Sequence, residues 1–178
     1  FCNDMSTRDA VSNAELEQPG AYAYIIFDQR IVDDLKSCQK YISNGLTVSS
    51  DSYEGLAKEM GLTGDAAANF VETMNTWNGY VEAKNDPDFG RTSFANPLNT
   101  APYYAIKVTA GVHHTMGGLK INTNTEVLKA DGSVIPGLFA AGEVTGGVHG
   151  ANRLGGNAVA DFVVFGRIAG AAASKYAA

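Results

Sequence analysis

Cysteine is scarce: Cys2 and Cys38 are the only two, far apart, with no CxxC and no CxxCH. Neither a structural zinc site nor covalent haem attachment is therefore encoded in this stretch, while a disulfide between the two thiols stays open. Basic residues are also few. The 13 Lys and Arg face 19 Asp and Glu, for a formal net charge of -6, and the cations are scattered, which argues against nucleic acid as a partner. There is no apolar run long enough to span a membrane, no basic-then-apolar leader, no internal repeat and no low-complexity tract. What remains, 45% hydrophobic and 18% charged residues, is ordinary for a globular chain able to bury a core. It opens at Phe1 rather than Met, and Phe1-Cys2-Asn3-Asp4 reads as the interior of a longer polypeptide.

Residues 1–20 are mostly small and polar, a surface loop with a short helix over 10–17, closed by the turn signal Pro19-Gly20. Aromatic and β-branched residues over 21–28 predict a buried strand. Ile31, Leu35, Cys38 and Ile42 recur at helical spacing, so one amphipathic helix is expected over 30–42, ended by Asn44-Gly45. Asp51, with Glu54 three residues on, has the form of a capping box opening a short helix through Leu56 and Met60 to Gly61. The most regular helical pattern lies over 66–83, where Phe70, Met74, Trp77 and Val81 share a face and read as core. A proline-punctuated crossing segment follows. A strand is then expected over 103–108, a hairpin around Asp131-Gly132, a short buried strand over 137–142, and a final helix over 157–176, apolar almost all round and so mostly buried.

The densest run of functional residue types is in the last third. His113-His114-Thr115-Met116-Gly117-Gly118 precedes Gly142-Glu143-Val144-Thr145-Gly146-Gly147-Val148-His149-Gly150-Ala151-Asn152-Arg153-Leu154-Gly155-Gly156-Asn157-Ala158. A glycine-rich loop that opens a helix offers unpaired N–H donors and partial positive charge to an anion. The residues alone leave other readings open. The two adjacent histidines also suit a hydrogen-bonded pair at a strand end, the glycine loop a tight turn, and Arg8 a solvated surface charge. A metal would need more ligands than His149 adds, so no metal site is assigned.

Taken together with Thr7-Arg8-Asp9, Asp86-Pro87-Asp88-Phe89 and Val164-Phe165-Gly166-Arg167-Ile168-Ala169-Gly170, these motifs resemble the C-terminal part of soluble, flavocytochrome-c-type fumarate reductases. That group belongs to the succinate dehydrogenase and fumarate reductase flavoprotein superfamily, with urocanate and other enoate reductases. The resemblance spans essentially the whole chain. It implies an α/β protein: an α+β clamp module over 1–100, including a linker at 85–100, then over 101–178 the C-terminal strands and helix of an FAD-binding Rossmann-like domain, whose N-terminal dinucleotide-binding part is absent. It implies FAD-dependent reduction of the C=C bond of a short unsaturated carboxylate, fumarate first, within electron transport and anaerobic respiration. Urocanate or an aryl acrylate as substrate, or a non-catalytic flavoprotein fragment, are the alternatives.

Residue by residue, the resemblance makes His113, Arg153 and Gly156 substrate ligands and Arg8 the proton donor. It places His114, Glu143, Asn157, Ala158 and Val159 against non-covalent FAD. Haem or flavin mononucleotide would sit on parts outside this sequence, as would the electron-donor domain or protein; the compartment stays open, with a slight preference for the periplasm. Such chemistry builds negative charge toward the substrate carboxylate, so cations that hold it act chiefly in the transition state. A guanidinium binds carboxylate bidentately and a protonated imidazole adds a charge-assisted donor. Arg8 as an acid is less natural, because a guanidinium has a pKa above about 12; by residue type alone it is a substrate clamp.

Overall fold

The computed structural model describes residues 1–178, and the chain divides into two compact units, Phe1–Ala110 and Gly111–Ala178. The first unit opens with α1 (Arg8–Leu16), which begins two residues before the expected 10–17 and so makes Arg8 its first residue. Strand β1 (Ala23–Asp28) follows as anticipated. The single helix expected over 30–42 is two: α2 (Gln29–Asp34) and α3 (Lys36–Ser43), separated by Leu35 in an extended conformation. Asp28 causes part of this. Its fully buried carboxylate caps α2 by accepting from Ile31 N (3.2 Å) and also accepts from Thr100 N (3.2 Å). Helix α3 ends in a left-handed glycine, Gly45, whose N–H donates to Ile42 O while Leu46 N donates to Tyr41 O.

Strand β2 (Thr47–Ser50), too short to show a period in the sequence, leads to α4 (Tyr53–Glu59). The cap of α4 is not Asp51 but Ser52, whose Oγ accepts from Gly55 N at 3.0 Å. Helix α5 (Asp65–Ala83) follows, with Met74 and Val81 buried and Phe70 and Trp77 only half-buried, so the predicted stripe is a core face at two of its four positions. Strand β3 (Tyr103–Val108) is the centre of an antiparallel sheet ordered β1-β3-β2. Phe27, Val32, Cys38 and Ile106 form the core against it, with the Phe27 and Tyr104 rings stacked on partner strands. Because β3 pairs on both edges here, the unit runs through Ala110, beyond the boundary expected at residue 100. The crossing segment is tied down as well: Asn78 accepts from Leu98 N (2.8 Å), Tyr53 Oη donates to Leu98 O, and Arg30 donates to Pro97 O (2.8 Å). Cys2 and Cys38 are both free thiols.

The second unit is built on a hairpin, β4 (Glu126–Leu128) and β5 (Val134–Phe139), turning at Asp131-Gly132 as the sequence predicts. The separate buried strand expected over 137–142 is instead the end of β5, with Leu138 exposed. A 3-10 turn (Gly142–Val144) and a long loop then lead to α6 (Asn157–Ala177). Helix α6 lies on β5, where the Tyr176 ring approaches Gly137, and on the 3-10 turn, where Phe162 approaches Gly142. It is not mostly buried, contrary to expectation: Val159, Phe162, Val163 and Val164 are exposed within this chain, because one helix apolar all round has only the hairpin and turn of its own unit to cover it.

Candidate functional site

In the second unit two backbone segments meet more closely than side chains would permit. Leu119 N donates to Val144 O (2.8 Å) and Gly146 N to Leu119 O (3.0 Å), forming a parallel bridge. A Cβ on Gly118 would stand 2.2 Å from Val144 O, and one on Gly146 would stand 2.6 Å from Gly118 N. Both positions therefore require glycine, and their approach sets the His113–Gly118 segment beside the turn that carries Glu143. Glu143 completes the junction. Its Oε1 accepts from Thr115 N (3.2 Å) and its backbone carbonyl accepts from the Thr115 hydroxyl (3.1 Å).

From that junction the loop at residues 146–156 carries Arg153, which is 7% exposed although cationic. Its Nη2 lies 3.0 Å from His113 Nε2 and its Nη1 donates to Leu154 O (3.1 Å). As a donor-only group, the guanidinium meets His113 through a ring nitrogen that accepts, so the proton of a neutral imidazole sits on Nδ1. Arg153 forms no ion pair, and its Nε is buried without a hydrogen-bond partner. A buried, unneutralised guanidinium with a spare donor is costly unless an anion completes it. This pair thus has the donor set for a carboxylate: a fork from Arg153 and, once protonated, Nε2 of His113.

The remaining candidates surround it or lie elsewhere. Gly156 is the N-cap of α6 at φ +84 with open space where a Cβ would be, and no side chain caps the helix. Asn157, Ala158 and Val159 form the first turn, at the positive end of the helix dipole, where Asn157 N donates to Leu154 O and Val159 N to Gly156 O. His114 has both ring nitrogens buried and unpartnered. Glu143 is exposed, and its second carboxylate oxygen remains available as an acceptor. An uncapped helix start, an orphaned imidazole and an available carboxylate fit a flavin nucleotide, which offers ring carbonyls and N–H groups, phosphates and sugar hydroxyls. Arg8 belongs to the first unit. It is exposed on the opening turn of α1, the end of a helix where the dipole disfavours a cation.

Two groups in this neighbourhood were not singled out from the sequence as site residues. His149 Nε2 lies 2.9 Å from Asp161 Oδ2, joining the loop to α6, and the His149 ring stands edge-on to His114 at 5.8 Å. A lone aspartate in an otherwise apolar helix was the available signal.

A family model described as "FAD binding domain" matches residues 1–159. "Fumarate reductase (cytochrome)" of Shewanella frigidimarina is 50% identical over 176 residues, covering 99% of this chain and 30% of that protein. "NADH:fumarate oxidoreductase" of Klebsiella pneumoniae (strain 342) is 47% identical over 178 residues, 99% of this chain and 19% of its own length. Among solved structures, the open conformation of a flavocytochrome c3 fumarate reductase superposes with a TM-score of 0.79 at 48% identity, over 99% of this chain and 31% of that one.

Proposed function

The chain belongs to the FAD binding domain family, and from that premise we propose that it works as part of an FAD-dependent reductase of the carbon–carbon double bond of a short unsaturated carboxylate, with fumarate as the substrate. The observation that carries the reading is the buried, unpaired Arg153 held against His113 in a glycine-rich loop. The names of the relatives above agree with it in substrate. FAD, when bound, supplies hydride chemistry at its reduced ring. His114, Glu143, Asn157, Ala158 and Val159 would hold it, the carboxylate of Glu143 accepting from sugar hydroxyls and the start of α6 facing the electron-rich part of the ring.

Arg153 and His113 bind the substrate carboxylate, with a backbone contact from Gly156. As charge accumulates on that carboxylate during reduction, the Arg153 fork and the protonated Nε2 of His113 bind it more strongly than in the ground state, which lowers the barrier. Substrate must displace the Arg153 to His113 hydrogen bond, which frees both side chains to turn to the carboxylate. The resemblance assigns delivery of the proton for the second alkene carbon to Arg8, the first residue of α1.

Arg153→Ala tests this. The variant should keep its flavin and lose turnover with fumarate by about 10²-fold or more, the usual cost of removing one group that stabilises developing charge. Near-normal turnover in a variant with full flavin content would sink the assignment.

A further inference from the structure

We propose that Asp161 and His149 are positioning residues that hold the loop at 146–156 in the shape that presents Arg153 to a carboxylate; this rests on the reading of Arg153 given above. Helix α6 is apolar almost all round, yet its buried residue is the aspartate, while Val159, Phe162, Val163 and Val164 stand exposed. Burying a carboxylate is unfavourable unless it is paired and hydrogen-bonded. The His149 and Asp161 side chains are 14% and 3% exposed and meet at 2.9 Å, but Asp161 Oδ1 is buried with no partner. A half-satisfied buried carboxylate is a poor choice for stability alone.

The pair has something to hold. Gly147, Gly150 and Gly156 have φ of +90, +66 and +84, and glycine, lacking a Cβ, restrains the loop backbone less than any other residue. Backbone hydrogen bonds fix its start, Gly146 N to Leu119 O, and its end, Asn157 N to Leu154 O. Between them His149 ties the loop to α6, four residues before Arg153. The same ring lies edge-on to His114 at 5.8 Å.

The test is the affinity of the flavin-loaded protein for succinate, read from the perturbation of the flavin spectrum, together with flavin content. Asp161→Ala and His149→Phe should each weaken succinate binding by about tenfold at unchanged flavin content, in the range that a misplaced binding group costs. Asp161→Asn, which keeps an acceptor, and His149→Gln, which keeps a donor, should restore most of the affinity. Unchanged affinity in Asp161→Ala and His149→Phe overturns the positioning role. So does equal loss of flavin in His149→Phe and His149→Gln, because the pair would then only hold the fold. Arg153→Ala separates the two levels: if it too leaves succinate binding unchanged, the reading of Arg153 fails and this proposal with it.

Discussion

Gly118 and Gly117 are neighbours with opposite tolerances. A Cβ on Gly118 would meet Val144 O at 2.2 Å, whereas one on Gly117 meets nothing within 4 Å. Gly118→Ala should therefore cost about 1–3 kcal/mol, the range for overpacking a tight site, and Gly117→Ala close to nothing, by urea unfolding monitored in the second unit. Asp86 makes a prediction about pH. Burial would raise its carboxyl, but the backbone N–H groups of Phe89, Arg91 and Asp88 and the charge of Arg91 outweigh that and hold it below the ordinary value. A depressed carboxyl contributes stability in full above its unfolded pKa, about 3.9, and loses it as pH falls through the lower folded value. Asp86→Asn should flatten the acid limb of the stability profile below pH about 4, measured by denaturation at successive pH values; an unchanged limb would contradict the assignment. His113, Arg153 and Glu143 were singled out through the family resemblance of the motifs around them, and the structure brings His113 and Arg153 within 3.0 Å of each other. Asp161 was not, since its pairing with His149 exists only once the loop folds back on α6.

Helices were easier to find than their ends. The α4 start was read one residue early because Asp51 and Glu54 have the right spacing, while the geometry selects Ser52, whose hydroxyl reaches Gly55 N. Ser52→Ala should thus lower stability by about 1 kcal/mol and Asp51→Ala by much less, a difference that thermal unfolding of the two variants resolves. The break at Leu35 was hidden for a related reason: apolar spacing continues through it, and only the buried Asp28 cap and the extended backbone of Leu35 divide α2 from α3. Strand β2 escaped because four residues carry too little period, and it is recruited by pairing with β3 rather than by its own propensity. Helix α6 shows the limit of composition. Its all-round apolarity predicts burial, but burial depends on what surrounds the helix, and the chain spans 30% of the length of the Shewanella relative.

As a whole, the α/β class and most of the longer elements were readable, while the grouping of elements was not. Tyr103–Val108 looked like the first strand of the second part, yet its partners Ala23–Asp28 and Thr47–Ser50 are 75 or more and 53 or more residues earlier, and non-local pairing of this kind leaves no local trace. Family membership came from the glycine-rich motifs, and the match over residues 1–159 crosses both units. The central proposal is that flavin held by this chain passes its electrons to an unsaturated carboxylate bound by Arg153 and His113. The direct measurement is anaerobic reoxidation of the bound flavin, reduced beforehand with methyl viologen, on addition of fumarate. Reoxidation with one succinate formed per flavin is expected, with little reoxidation in Arg153→Ala. Flavin that stays reduced in the presence of both fumarate and urocanate, or that is reoxidised equally fast in Arg153→Ala, would contradict it.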